Sequence, residues 1–193
     1  NRILVSESDY VFTIPLKNKS QNTFIKDLKI SKDEKWKNSF LKTIELAYKN
    51  APFFNSCFEI IRSTLSTKSQ YLIDWHLNSF SLIKKYLKMD TKIFCSSESF
   101  KEFKLKGESR ILEICKAENV DQYYNTDAGM HLYTYSNFEK NNIKLSFLKM
   151  GGFTYNQKKN DFIPNLSIID VMMFNDLNAI DSLLYNYEII KKG

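Results

Sequence analysis

A chain of 193 residues with 43% hydrophobic content, 15 Phe and 11 Tyr carries enough apolar side chain to bury a sizeable core, which excludes a disordered or fibrous polymer. The net charge of +6 is almost entirely lysine, with arginine only at Arg2, Arg62 and Arg110, so it marks neither a nucleic-acid stripe nor a membrane patch. No apolar run reaches the roughly 18 residues of a membrane span, and no signal peptide is expected ahead of the first strand.

In chain order, residues 10–16, YVFTIPL, combine β-branched and aromatic residues with a late proline and predict a strand that ends at a sheet edge. Phe24, Ile25, Leu28 and Ile30 supply a second. Ser31 and Glu34 have capping-box spacing, and Trp36, Phe40, Ile44 and Ala47/Tyr48 follow with the rhythm of one buried helix face. Phe54, Phe58, Ile61 and Leu65 predict the next helix, and Leu72, Trp75, Ser79, Leu82/Ile83 and Tyr86/Leu87 a third. Residues 92–97, KIFCSS, read as a buried strand releasing its chain at a loop. ESRILEICKAENV reads as a helix, the stretch from Tyr123 as a polar turn leading into a short aromatic helix, KLSFLKM as a strand, and Ser167 to Phe174 as the start of the last helical segment. This alternation predicts a three-layer α/β fold with a mainly parallel central sheet and a helix-rich insertion. A break near residues 88–92 can separate lobes, but no low-complexity linker marks it, and a single domain over 1–193 is expected.

His76, His131, Cys57, Cys95 and Cys115 are too widely spaced to announce a metal site, and nothing names a cofactor. The odd cysteine count fits a reducing compartment, so the expected location is cytoplasmic.

Four stretches carry candidate chemistry. Ser96 and Ser97 close a predicted strand, where hydroxyls meet phosphate or sugar oxygens or simply cap the following helix. Arg110 can grip phosphate or carboxylate with two prongs, or sit in a surface salt bridge with a neighbour such as Glu108. Tyr124 and Asp127 lie in a polar run that can display hydrogen-bonding groups toward a sugar or cap a helix. Residues 151–174, GGFTYNQKKNDFIPNLSIIDVMMF, place Tyr155 and Gln157 before a charged turn, and Ser167 and Asp170 after it. Asp170 is flanked by Ile168, Ile169, Val171, Met172, Met173 and Phe174, and a carboxylate among such neighbours needs a partner. It is the leading catalytic candidate, as a general base or as the group orienting a nucleophile; a fixed link between the helix and the 151–164 loop is the competing role.

The order of NRI, WKNSFLKTIELAYKNAPFF, CSSES, SRILEICKAENVDQYYN, GMHLY and FTYNQKKNDFIPNLSIIDVMMF resembles the WbqC-like protein family over most of the chain. The resemblance implies a role in bacterial surface-polysaccharide or O-antigen biosynthesis, with transfer of an aminoacyl group, glycine in one member, to a nucleotide- or lipid-linked amino sugar. Asp170 would then orient or deprotonate the acceptor amine. Tyr155 and Gln157 would position sugar or acyl groups, and Ser96, Ser97 and Arg110 would hold an anionic portion. Aminoacyl donors and other polysaccharide-biosynthesis proteins are the implied partners, and a non-catalytic sugar- or nucleotide-binding scaffold is the competing function. Two departures are expected: a missing amino-terminal βα unit, since the chain opens at the Asn1–Arg2 pair, and Phe40 where similar proteins often carry histidine.

Overall fold

Ile3 and Leu4 are sequence neighbours, and both are buried. A strand that buries successive residues is covered on both faces, and Ile3 and Leu4 both belong to one hydrophobic core. In the computed structural model, which describes residues 1–6, 8–17, 20–94, 104–158 and 161–191, the chain forms two compact units. One spans Asn1–Lys92 and Thr154–Leu183; the other spans Ile93–Phe153 and Leu184–Gly193.

In the first unit, β1 (Arg2–Val5) pairs antiparallel with β2 (Ser8–Val11), with Leu4 opposite Asp9. Ser6 turns the corner at φ 57°, and Arg2 Nε donates to Asp9 Oδ2 at 2.8 Å across the hairpin. The predicted strand over 10–16 is split. Pairing stops at Val11 and resumes only in β3 (Leu16–Lys17), which pairs antiparallel with β4 (Lys29–Ile30). Pro15, which has no N–H to donate to a ladder, gives its carbonyl to Ser31 N at 2.8 Å.

Three helices follow: α1 (Lys35–Tyr48), α2 (Phe54–Leu65) and α3 (Leu72–Tyr86). The expected capping box at Ser31 and Glu34 does not form. Ser31 Oγ instead accepts from Asp33 N at 3.3 Å, and Asp33 Oδ1 from Lys35 N at 3.0 Å, two successive turns that feed the helix. The predicted faces are buried as spaced, with Ile44 and Tyr48 on α1, Cys57, Ile61 and Leu65 on α2, and Leu72 and Trp75 on α3. The late segments α6 (Ile168–Phe174) and α7 (Leu177–Leu184) add Met172, Met173 and Ile180 to the same core.

In the second unit, α4 (Gly107–Ala117), β5 (Gln122–Thr126), a 3-10 segment (Asp127–Leu132), α5 (Tyr135–Glu139), β6 (Lys144–Met150) and β7 (Tyr187–Ile190) surround a core of Leu112, Cys115, Phe138, Ile143, Leu145 and Phe147. β5 runs parallel to β6, with Tyr123 opposite Leu145, and β7 joins the other edge of β6 antiparallel. The predicted polar turn from Tyr123 is therefore strand β5. No strand forms over Lys92–Phe94, where Ile93 and Phe94 are exposed; residues 95–97 lie outside the described residues. Gly151 is required by close approach and not by its φ: an added Cβ would lie 2.3 Å from Asn186 Oδ1, while Gly151 N donates to Asn186 O and Asn186 Nδ2 to Gly152 O.

The expected three-layer α/β fold with a mainly parallel sheet is corrected. The described strands form sheets of two, two and three strands, and only β5–β6 is parallel. The reason is local. Four of the seven strands are hairpin partners close in sequence, which pair antiparallel, and α1, α2 and α3 succeed one another with no intervening strand, so they pack on each other.

Candidate functional site

Ser167 caps α6: its Oγ accepts from Ile169 N at 3.3 Å, and its carbonyl accepts from Asp170 N at 2.9 Å. Its own N–H donates to Arg2 O at 2.7 Å, which fixes the helix start against β1. One turn in, the Asp170 side chain is directed into the core and not at the helix amides.

There it is fully buried. Oδ2 accepts from Tyr48 Oη at 2.8 Å; Oδ1 accepts from Tyr155 Oη at 2.6 Å and Gln157 Nε2 at 3.1 Å. Tyr48 Oη in turn accepts from Leu4 N at 2.8 Å. Gln157 closes the loop on itself, its Nε2 donating to Ile163 O at 3.0 Å and its Oε1 accepting from Ile163 N at 2.9 Å. Phe162 meets Tyr155 edge-on at 5.2 Å. The carboxylate thus joins four segments: β1 through Tyr48, the end of α1, the 154–163 loop, and α6.

Burial raises the Asp170 carboxyl above its ordinary value, against the opposing pull of its three donors. The two phenols are also raised, by burial first and then by the carboxylate they face. Nearby, burial pushes the Cys57 thiol up to about 12, with the Asp170 charge adding to it, so this cysteine is an inert core group.

The structure brings Tyr155, Gln157 and Asp170 together through side-chain hydrogen bonds, and Ser167 joins them through the backbone as the cap of the same helix. Tyr48 joins them, a site residue that sequence reasoning assigns only to the helix face. The available signal was its polar tip at the last buried position of α1, since a buried phenol needs a partner. Beside the group lies an apolar cleft of about 270 Å3, with Phe12, Phe40, Trp36, His76 and Ser167 among its walls; Asp170, Tyr155 and Gln157 do not line it. Phe40 packs against Phe12 with ring centres 4.8 Å apart and the rings tilted by 43°.

The other predicted site residues fall elsewhere. Arg110 is on α4, and Tyr124 on β5 donates its Oη to Gln122 Oε1 at 2.7 Å. Asp127 accepts from Ala128 N at 2.9 Å at the head of the 3-10 segment. All three belong to the second unit, and Ser96 and Ser97 lie outside the described residues. Glu108, close to Arg110 in sequence, accepts from Thr134 N and Asn137 Nδ2 at the start of α5.

A profile of the WbqC-like protein family matches residues 1–182. The chain belongs to this family. The match spans nearly the whole chain, its amino-terminal residues included, which corrects the expectation of a truncated match. The WbqC-like family is generally linked to polysaccharide and O-antigen biosynthesis. Neither the curated proteins nor the solved structures contain a match. Among the described residues, no helix is long and apolar enough to cross a membrane.

Proposed function

We propose that this WbqC-like chain transfers an aminoacyl group, glycyl in the simplest case, to the amine of an amino-sugar intermediate of surface-polysaccharide assembly. The observation carrying this reading is the Tyr155–Asp170 pair. Of the side chains around the carboxylate, Tyr155 alone is not buried, and its Oη lies 2.6 Å from Asp170 Oδ1. The acceptor amine attacks the acyl carbonyl, the new C–N bond forms, and the bond from the acyl carbon to the donor's leaving atom breaks. The amine proton passes to Tyr155 Oη as the phenolic proton moves to Asp170. A carboxyl whose pKa is raised by burial accepts that proton more readily than an exposed one.

The experiment incubates the protein with amino-sugar nucleotides and a panel of glycyl donors and reads product mass. An added glycyl mass, lost in Tyr155→Phe and Asp170→Asn proteins that remain folded, supports the reaction; full turnover in either variant overturns the assignment. The complete burial of Asp170, with every hydrogen bond to it supplied by the protein, favours a second reading, a non-catalytic sugar- or nucleotide-binding scaffold. Saturable sugar-nucleotide binding with no product across the donor panel selects that one.

A further inference from the structure

A second cleft, of about 700 Å3, opens in the first unit among the end of β4, the start of α1, the loop after α2, and Trp75. Its walls carry four cations, Lys32, Lys37, Arg62 and Lys68, and one carboxylate, Glu34. Two of the cations are already engaged, Lys37 with Glu34 at 2.6 Å and Arg62 with Glu59 at 2.9 Å. Lys32 and Lys68 have no ion pair among the described residues. Lys37 Nζ also stands 4.9 Å from the Trp75 ring centre, which holds its charge over the floor of the cleft.

The loop Ser66–Gln70 contributes a run of hydroxyls. The last carbonyls of α2 are occupied by this loop itself, since Arg62 O accepts from Ser66 N and Ser66 Oγ and Thr64 O accepts from Thr67 N and Thr67 Oγ1. Among the described residues, the amides of Lys68, Ser69 and Gln70 donate to no backbone carbonyl. A concave wall of unspent amides with a cationic excess is the chemistry that receives phosphate oxygens. The cleft is also of the size that holds a small organic ligand.

We propose that this cleft binds a diphosphate, the phosphoanhydride of a nucleotide-linked or carrier-lipid-linked sugar, with Lys32 and Lys68 as its charge partners and the 66–70 loop as its cradle. The proposal rests on the polysaccharide reading for the identity of the sugar. It does not use Asp170.

The test titrates the intact protein with inorganic pyrophosphate, uridine diphosphate and geranyl diphosphate by calorimetry, with tryptophan emission as a second signal because Trp75 forms the floor. At least one diphosphate is expected to bind saturably. Binding should weaken about tenfold or more in Lys32→Ala/Lys68→Ala and further in Lys68→Glu, and should be unchanged in Lys85→Ala, an exposed lysine of α3 outside the cleft. Tighter binding of uridine diphosphate assigns the ligand to a nucleotide, and tighter binding of geranyl diphosphate to a lipid carrier. No saturable binding of any of the three, or binding that survives the double variant, overturns the site. Diphosphate binding lost while acyl transfer continues removes this cleft and leaves the reaction; binding retained without transfer does the reverse.

Discussion

Each unit keeps a polar side chain among tyrosines, and the two solutions differ in charge. In the first, the Asp170 carboxylate is fully buried between the Tyr48 and Tyr155 phenols. In the second, the neutral Asn125 amide donates to Tyr123 Oη at 3.2 Å and Tyr133 Oη at 3.1 Å, and those two hydroxyls lie 3.2 Å apart. Asn125 is held close by Gly129, where an added Cβ would meet its side chain at 3.2 Å. Take the amide away and the phenols still have each other. Take the carboxylate away and buried donors from distant segments are left facing a hole. A buried charge thus commits a fold to its partners in a way that a half-buried amide does not.

The largest expected effect follows directly. Asp170→Ala should destabilise the first unit by about 3–5 kcal/mol. Urea unfolding followed by tryptophan emission measures this cleanly, because the chain's two tryptophans, Trp36 and Trp75, both lie in that unit. A loss under 1 kcal/mol would show that the carboxylate is not the hub described.

Tyr48→Phe comes next, at about 2 kcal/mol by the same measurement, since it removes one donor to Asp170 and leaves the Leu4 amide without its acceptor. Asn125→Ala should cost about 1 kcal/mol, read by hydrogen exchange in β5, because Tyr123 and Tyr133 remain paired. A cost equal to that of Asp170→Ala would erase the distinction between the two clusters.

The smallest effect sharpens the comparison through pH. The native Asp170 carboxyl is raised above its ordinary 3.8, so the folded state binds the proton more readily than the unfolded chain. Its contribution is therefore fullest below 3.8 and is lost as pH rises through the native value. The stability of the wild type relative to Asp170→Asn should grow as pH falls from neutral toward that range. The opposite slope would mean that the three donors outweigh burial. Asn125 does not titrate, and Asn125→Ala should show no corresponding slope.

Much of the first unit was legible because helix periodicity survives in sequence. The spacing of Trp36, Ile44 and Tyr48, or of Cys57, Ile61 and Leu65, records which face is buried whatever the face packs against. Sheet assembly left no comparable record. β1 and β7 are four residues each, too short for alternation to stand out, and the direction of pairing depends on where the chain returns. The cluster around Asp170 was half legible: an acidic residue inside an apolar run demands partners, and Tyr155 and Gln157 are close in sequence. Tyr48 is 122 residues away from Asp170, and its polar tip on a buried helix face called for a partner without saying which.

Local pattern is enough to place a helical core and to mark Asp170 as a carboxylate in need of donors, because hydrophobic spacing and the cost of desolvating charge act over a few residues. Tertiary packing alone makes those donors two phenols and an amide drawn from separate segments, and sets lysines from α1, the turn before it and the loop after α2 around one cleft. Such meetings depend on how distant pieces of chain pack, and no local spacing encodes them.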